Sequence, residues 1–309
     1  MNDNIKLVSK ISSDFLNDRQ VSIAPILGKG SVNKVFIVEA ANTKVVVRLN
    51  DDRAALDEYT KEAWCIEKAA AKGVPVSEVL GVGMFEEHAF MIQTYIAGDE
   101  GRNSRLSRSR IWQQLGKYAR LIHSIRVAGF GLKMSDLTEG DCRNSWLEYL
   151  DYNIDSLNER DELLRLNVVT ESQSKIIRAI FENLKEKTFN FGLNHGDISL
   201  KNVIVDEACR VNLIDWGSAE ASIVPHHDLI EMLKMNMLEN APDKKEIQAF
   251  LDGYGISQIE FEQMMPELES LLLLRAFDKL RWAIDWKIES LSEFVSHARD
   301  VIENYVPRK

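Results

Sequence analysis

The chain has 309 residues, of which 45% are hydrophobic and 28% charged, a composition that excludes a disordered or low-complexity chain. It carries 38 Lys and Arg against 48 Asp and Glu, and the net charge of −10 lacks the positive excess by which most nucleic-acid-binding proteins attract phosphates. We therefore expect no nucleic-acid partner. The length of the chain fits two domains or one large bilobal domain.

The first 97 residues predict an opening helix, a second helix and five strands. Apolar, β-branched runs separated by turn residues are typical of antiparallel strands, and Gly73 followed by Pro75 marks the end of the second helix. The predicted helices span about 5–17 and 55–72, and the predicted strands cover 21–27, 35–38, 44–49, 79–84 and 89–96.

Beyond Gly98 the pattern changes to long amphipathic helices, interrupted by one β-rich segment from Leu193 to Trp216. The predicted helices span about 108–126, 144–157, 171–187, 226–239, 244–252 and, in pieces, 260–303. This order predicts an α+β fold of two lobes, a small antiparallel-sheet lobe at 1–97 and a larger helical lobe at 98–309.

The cysteines and the amino terminus bear on the cellular compartment. Cys65, Cys142 and Cys209 are odd in number, far apart and without metal-ligand spacing, which is typical of reduced thiols. The first residues lack a basic stretch followed by an apolar one, and no apolar run approaches the roughly 18 residues of a membrane span. We expect a cytoplasmic protein without a membrane partner.

A glycine-containing turn, Gly28-Lys29-Gly30-Ser31, lies between two predicted strands. A dinucleotide-binding fingerprint needs a helix after the glycines, so this loop is not one. It is either a hairpin whose N–H groups cover nucleotide phosphates or a plain hairpin with glycines at positive φ.

Two aspartates and an asparagine in the β-rich segment predict phosphoryl-transfer chemistry. Asp197 precedes Asn202 by five residues, and Asp215 follows thirteen residues later at the end of an apolar run. In phosphoryl transfer one aspartate orients the attacking hydroxyl and accepts its proton, while an asparagine and a second aspartate hold Mg²⁺ on the nucleotide phosphates. The alternative is a hairpin in which these side chains only form turns.

The same residues resemble a known family. His195-Gly196-Asp197 with Asn202 and Asp215-Trp216 is similar to the motifs of the aminoglycoside phosphotransferase and choline kinase family, relatives of protein kinases that phosphorylate small molecules. The resemblance covers about residues 20–300. It implies a protein-kinase-like fold that binds ATP or GTP between its lobes.

The resemblance also implies a role for individual residues. Asp197 would be the catalytic base, and Asn202 and Asp215 the Mg²⁺ ligands. Arg48 would contact the phosphates and pair with Glu62. The remaining nucleotide-binding residues would be Gly28, Gly30 and Ser31 in the glycine turn and Gln93, Thr94 and Ile96 in the adenine-binding hinge.

The chain departs from the protein-kinase pattern at two positions. Arg48 stands where protein kinases have Lys, but its planar guanidinium can bind phosphate or Glu62 through two hydrogen bonds. Asn33 stands where the third glycine is expected, which predicts a looser cover over the phosphates.

The sequence positions of the histidines favour structural rather than catalytic roles. His195 and His123 are interpreted as core residues, and His226 and His227 diverge by about 100° on a helix, which disfavours a shared metal ion. Asp228, beside them, is expected to tie its helix to the loop that contains Asp197.

The acceptor-binding residues are sought on the last long helix, where spacings of 4, 3 and 4 bring three carboxylates and an indole to one face. They are Asp278, Trp282, Asp285 and Glu289. Such a face can hold a polycation, or a quaternary amine through a cation–π contact, or it is a solvated acidic face with one packed Trp. Trp146, Tyr149 and Asp151 form a second candidate segment, although aromatic residues at this spacing are more typical of a core.

The sequence therefore predicts a Mg²⁺-dependent kinase, a monomer or weak dimer, that transfers the γ-phosphate of ATP or GTP to a hydroxyl of a cationic small molecule. An aminoglycoside-type antibiotic is the favoured acceptor. A metabolic kinase for choline, homoserine or an amino sugar is one alternative, and an inactive nucleotide-binding module is another. A protein kinase is disfavoured because the HRD, DFG and APE motifs are missing.

Overall fold

The computed structural model describes residues 2–18, 20–26, 34–41 and 43–306. The strands in this part of the chain are β1 (Ser22–Ile26), β2 (Lys34–Ala40), β3 (Thr43–Asn50), β4 (Val79–Phe85), β5 (His88–Thr94), β6 (Asp99–Glu100), β7 (Asn190–Asn194), β8 (Val203–Val205), β9 (Val211–Leu213) and β10 (Glu220–Val224). The helices are α1 (Asn2–Leu16), α2 (Ala55–Ala71), α3 (Arg108–His123), α4 (Met134–Thr138), α5 (Cys142–Ser156), α6 (Glu162–Arg165), α7 (Glu171–Lys185), α8 (His226–Glu239), α9 (Lys244–Tyr254), α10 (Gln258–Asp285) and α11 (Leu291–Tyr305). None of these helices is long and apolar enough to cross a membrane.

The chain forms two compact units, and each unit contains segments that are not consecutive in the sequence. The first unit contains the residues up to Ile111, Leu132–Met134 and Ser199–Ala219. The second contains Trp112–Gly131, Ser135–Ile198 and the residues from Glu220 onward. Asn202 and Asp215 therefore fold with the first unit. The lobe bounds at 1–97 and 98–309 stay a prediction.

The main sheet of the first unit is antiparallel and has the strand order β1-β2-β3-β5-β4. Alternate residues of β3, Val45, Val47 and Leu49, are buried in one apolar cluster with α1, as the two-residue period of a strand requires. Arg48 has the opposite parity and is paired in register with Met91 of β5. Met91 belongs to a second cluster with Tyr59 of α2, so α2 covers the face that carries Arg48.

A smaller sheet of the first unit, with the order β6-β8-β9, positions Asn202 and Asp215. Antiparallel pairing of β8 with β9 sets Val203 opposite Leu213. The residues that flank this pair, Asn202 and Ile214, are joined by a hydrogen bond from the Ile214 N–H to the Asn202 carbonyl, 3.0 Å long.

The second unit is a helical assembly with one two-stranded antiparallel sheet, β10-β7. Helix α10 packs against α5, α7, α8, α9 and α11. It begins at a capping box in which Ser257 and Glu260 satisfy each other's backbone N–H groups. A run of four leucines, 271–274, is buried in its middle.

The predicted opening helix, second helix and five strands are confirmed, each within a few residues of the expected bounds. The last predicted helical stretch is two helices, because α10 ends at Asp285 and Lys287 adopts a left-handed φ of 50°. Glu289 therefore lies in the turn before α11 and does not share a helix face with Asp278 and Trp282. That part of the spacing argument was wrong.

Candidate active site

Strand β3 and helix α2 hold a buried ion pair, as the sequence predicted. Nη1 of Arg48 lies 2.6 Å from Oε1 of Glu62, and the two side chains are 12% and 2% exposed. The Arg48 guanidinium also lies over the ring of Tyr59, with 5.2 Å to the ring centroid. Burial acts to lower the pKa of Arg48, but the Glu62 carboxylate, with Tyr59 and Asp215, raises it, so the guanidinium stays charged.

The β8–β9 hairpin brings the two predicted metal ligands to one end. Asn202 is buried, whereas Asp215 is exposed. Asp215 has φ 62° and ψ 71°, a left-handed conformation that Asp tolerates better than most residues. Its carboxylate contributes to the raised pKa of Arg48, so the cation on β3 and the carboxylate after β9 share one electrostatic environment.

A lysine that sequence reasoning left without a role joins α2 to the segment after Asp215. Nζ of Lys61 donates to the carbonyl oxygens of Gly217 and Ala219, both at 2.9 Å. A signal for it exists in the sequence, because Lys61 precedes the buried Cys65 by one helical turn and so continues the buried stripe of α2.

In the second unit, buried side chains support the loop that contains Asp197. The Gly196 N–H donates to Oδ1 of Asp228 at 2.9 Å, and Oδ2 of Asp228 lies 2.9 Å from Nε2 of His123. Nδ1 of His123 in turn lies 3.0 Å from the Tyr254 hydroxyl. The expected tie between Asp228 and this loop is therefore confirmed, and His123 is a core residue.

Asp228 is ionised at any ordinary pH. Burial acts to raise its pKa, but the hydrogen bond with His123 and the charge interactions with His123, His227 and His195 outweigh burial and lower it to about 2. Burial also raises the pKa of Tyr254 to about 12, which keeps the hydroxyl protonated beside His123.

The remaining histidines make separate contacts. His195 is fully buried, as expected of a core residue, and its Nδ1 accepts the Asp197 N–H at 3.3 Å. Nε2 of His226 lies 3.2 Å from Glu267, whereas Nδ1 of His227 lies 3.0 Å from Glu220. The two neighbouring histidines thus bind different carboxylates.

The predicted nucleotide-binding residues are described only in part. Gly28, Gly30 and Ser31 lie outside the described residues. At the end of β5, the Thr94 N–H donates to the Glu78 carbonyl at 2.9 Å, and the Thr94 carbonyl accepts from the Ser77 hydroxyl at 2.8 Å. Gln93 is buried within β5, and Ile96 is half-buried just after it.

The predicted acceptor residues fall into different environments. Asp278 is largely buried beside Tyr149, and burial raises the pKa of its carboxyl. Trp282 is 44% exposed and packs against Phe294, with the ring centroids 6.2 Å apart. Asp285 and Glu289 are exposed.

The second candidate segment is part of the core, as its spacing indicated. Trp146 is buried, and its ring stacks on Tyr149 with 5.8 Å between centroids. Phe130 lies 5.1 Å from both rings. Asp151 faces outward and pairs with Lys185 at 2.5 Å.

Residues 23–269, about four fifths of the sequence, match the profile of a phosphotransferase enzyme family. The chain belongs to this family. The predicted resemblance is thereby confirmed, and the chain is a small-molecule kinase, a phosphotransferase with an alcohol group as acceptor. No curated protein matches the sequence.

Solved structures share the fold at low sequence identity. Aminoglycoside phosphotransferase APH(4)-Ia, in a ternary complex of a thermostable mutant with AMP-PNP and hygromycin B, is 16% identical with a TM-score of 0.71 over 97% of this chain and 99% of that one. A putative fructosamine-3-kinase from Haemophilus somnus is 12% identical with a TM-score of 0.63 over 98% and 97%. APH(2")-IIa, in its gentamicin complex, is 15% identical with a TM-score of 0.61 over 94% of each chain. The predicted α+β, protein-kinase-like fold is confirmed.

Proposed function

We propose that this phosphotransferase transfers the γ-phosphate of ATP or GTP to a hydroxyl of a cationic small molecule, with an aminoglycoside-type antibiotic as the favoured acceptor. The observation that carries the proposal is the cluster of Arg48, Glu62 and Asp215 in the first unit. A buried guanidinium fixed by a carboxylate, with a second, exposed carboxylate nearby, provides a cation for phosphates and an oxygen ligand for a metal ion.

The donor set at the end of the β8–β9 hairpin fits Mg²⁺. Asp215 offers a carboxylate and Asn202 an amide oxygen, and the described residues contain no group of three or more His, Cys, Asp or Glu that would form a complete protein cage. Mg²⁺ is usually bound by one or two protein oxygens together with substrate phosphates and water, so two protein ligands suit it. When bound, the ion would neutralise charge on the nucleotide phosphates.

Asp197 is proposed as the base that orients the acceptor hydroxyl and takes up its proton. The neighbouring Gly196 N–H is bound by the buried Asp228, and the Asp197 N–H by His195, so the backbone on both sides of the peptide bond to Asp197 is fixed. Such a backbone fixes the point from which the carboxylate projects, and general base catalysis requires a positioned group.

Arg48 is proposed to bind the nucleotide phosphates, with Glu62 setting the orientation of the guanidinium. Gln93, Thr94 and Ile96 are proposed to border the adenine, and Gly28, Gly30 and Ser31 to cover the phosphates. The ATP analogue in the APH(4)-Ia complex supports a nucleotide co-substrate.

An aminoglycoside acceptor is favoured by the solved relatives and by charge. These relatives include complexes with hygromycin B, spectinomycin and gentamicin. The net charge of −10 attracts cations, and Asp285 and Glu289 are exposed near the end of α10. We propose that these carboxylates, with Asp278 and Trp282, contribute to acceptor binding.

An amino sugar is the second candidate acceptor. The likeness to a putative fructosamine-3-kinase covers 98% of this chain and favours a metabolic kinase as the alternative. An amino sugar and an aminoglycoside share the amine and hydroxyl groups that the proposed site would bind. The two proposed acceptors therefore differ in size rather than in the chemistry of the reaction.

The test is a nucleotide-turnover screen. Purified protein is incubated with ATP or GTP and Mg²⁺, and release of the nucleoside diphosphate is measured with aminoglycosides, hygromycin, choline, homoserine and amino sugars in turn. We expect acceptor-dependent turnover with an aminoglycoside that is lost in Asp197→Asn. Turnover with an amino sugar alone would support the metabolic kinase, and no turnover with any acceptor would support an inactive module.

We also propose that the protein acts in the cytoplasm as a monomer or weak dimer. All three cysteines are free, which suits a reducing compartment. Light scattering of the purified protein at several concentrations tests the oligomeric state, and a stable higher oligomer would contradict it.

A further inference from the structure

We propose that Lys61 is a positioning residue for Asp215: it holds the backbone that follows this carboxylate and thereby sets where the carboxylate points. The inference rests on the proposed role of Asp215 as a metal ligand. It assigns a function to a side chain that would otherwise be an unexplained charge in the interior of the first unit.

The contacts of Lys61 require both partners to stay in place. The residue is 5% exposed, and its ammonium donates to the carbonyl oxygens of Gly217 and Ala219 at 2.9 Å each. A buried ammonium is strongly unfavourable unless its N–H groups are bound. Moving the 217–219 segment would therefore leave a buried charge unsatisfied, so Lys61 resists that movement.

The conformation of Asp215 explains why such a hold is needed. Its φ of 62° lies in the left-handed region, which most residues with a Cβ avoid and which Asp, although more tolerant, adopts uncommonly. On the amino-terminal side, the Ile214 N–H is bound to the Asn202 carbonyl. On the carboxy-terminal side, Lys61 binds Gly217 and Ala219. Asp215 thus lies between two fixed points.

Glu62, the next residue of α2, connects the contacts of Lys61 to Arg48, the proposed phosphate-binding residue. Glu62 pairs with Arg48, and a Cβ added to Gly217 would lie 4.0 Å from Oε1 of Glu62 and 3.8 Å from Oδ1 of Asp215. One turn of α2 therefore contacts both Arg48 and the segment after Asp215. Lys61 and Glu62 have different partners, so substitution of Lys61 removes no contact of the Arg48–Glu62 pair and the two effects can be separated.

The first experiment measures amide hydrogen exchange in the nucleotide-free protein, so it does not depend on turnover. We compare Lys61→Met with Lys68→Met, which removes a partly exposed ammonium from the last turn of the same helix, where Lys68 lies 3.6 Å from Glu67. In Lys61→Met we expect peptides covering 214–220 to exchange at least about tenfold faster, because a bound segment becomes free to open, with β7 unchanged. Wild-type exchange in 214–220 would overturn the proposal.

The second experiment measures turnover as a function of Mg²⁺ concentration. We expect Lys61→Met to raise the Mg²⁺ concentration at half-maximal rate by about tenfold, the usual effect of losing a group that orients a metal ligand, with kcat largely restored at high Mg²⁺. Lys61→Arg should recover most of the wild-type value. A role in stability alone would lower the active fraction at every Mg²⁺ concentration and leave the half-maximal concentration unchanged, which would contradict the proposal.

The two experiments also distinguish a failure of this inference from a failure of the proposed function. Absence of turnover with every acceptor would overturn the proposed function, while the exchange measurement would still decide the role of Lys61 in the fold. If Lys61→Met does not fold, Lys61→Gln, which keeps an uncharged N–H donor on a side chain one bond shorter, is measured against the same two criteria.

Discussion

Oδ1 of Asp228 accepts the backbone N–H of Gly196 at 2.9 Å, although the two residues are 32 positions apart in the chain. The residue after Gly196 is Asp197, the proposed catalytic base. The position of this loop therefore depends on a carboxylate that is buried, ionised and bound on its other oxygen by His123.

The first prediction concerns acid stability. The pKa of Asp228 is about 2 in the folded protein and about 3.9 in an unfolded chain, so its ionised form favours folding. This contribution, roughly 2–3 kcal/mol, is complete above pH 5 and is lost as the pH falls towards 2. We expect Asp228→Asn to reduce the free energy of unfolding at pH 7 and to flatten its fall below pH 5, as measured by urea denaturation at several pH values.

Asp252→Asn is the matched control, because Asp252 is an exposed carboxylate on α9 that bonds only locally to Gln248. It should keep the wild-type pH profile. If Asp228→Asn also kept that profile, the buried charge of Asp228 would contribute nothing to acid stability.

The second prediction concerns the Arg48–Glu62 pair. Arg48→Ala leaves the Glu62 carboxylate buried and unpaired, which is expected to destabilise the protein by about 3–5 kcal/mol and to raise the nucleotide KM. Glu62→Ala should act in the same direction but less, because Arg48 keeps the interaction with Asp215. In a double-mutant cycle we expect a coupling energy of about 1–3 kcal/mol, and additive effects would show that the pair is not energetically coupled.

The third prediction separates the proposed base, Asp197, from the proposed metal ligand, Asp215. Asp197→Asn keeps the shape of the side chain but cannot accept a proton, so kcat should fall by about 10²–10⁴-fold while nucleotide affinity changes little. Asp215→Ala should weaken Mg²⁺-dependent nucleotide binding as well as turnover. Calorimetry with Mg²⁺ and a non-hydrolysable ATP analogue measures the binding, and equal affinity in both variants would remove Asp215 from the metal site.

The fourth prediction concerns Asp278 and Asp285. The pKa of Asp278 is raised by burial, so its ionised form opposes folding above that pKa, and the opposition disappears below about pH 3.9, where the carboxyl is protonated in both states. Asp278→Asn should therefore increase the free energy of unfolding at pH 7, and the increase should vanish at low pH. Asp285→Asn, at an exposed position, should leave stability unchanged.

The same two variants test acceptor binding. If each carboxylate contacts a cationic acceptor, each substitution should raise the acceptor KM by about tenfold, equivalent to about 1.4 kcal/mol, with the nucleotide KM nearly constant. Added salt should weaken acceptor capture, since charge attraction is screened over about 8–10 Å at physiological ionic strength. An unchanged acceptor KM in both variants would exclude this end of α10 from the acceptor site.

Local patterns in the sequence predict the helices and strands, and they point to the segment that contains Asp197, Asn202 and Asp215. This is possible because strands, helix caps and short loops depend mainly on residues that are close in the sequence. The Arg48–Glu62 pair was also predictable, but through the family resemblance rather than through spacing. The spacing from Cys65 indicates that Lys61 is buried, but its partners were not predictable. Its partner carbonyl at Gly217 is 156 residues away and belongs to the backbone, which carries no residue-specific signal.

The end of α10 marks a second limit of sequence reasoning. Spacings of 3 and 4 predict a shared face only while the helix continues, and the stop at Lys287 was not recognised because Lys is an ordinary helix residue. The burial of Asp278 beside Tyr149 was missed for a different reason. Tyr149 lies on α5, and periodicity within one helix says nothing about which helix packs against it.

If Asp215 binds the metal ion as proposed, its left-handed backbone also shapes how this enzyme can lose activity in evolution. Only Asn and Gly match or exceed Asp in tolerance of this conformation, and each arises from Asp by a single-base change in the codon. Neither offers a carboxylate. Gene copies that drift away from catalysis can therefore substitute this position without loss of the fold, and we expect folded, nucleotide-free descendants of the family to carry Asn or Gly here rather than a β-branched residue.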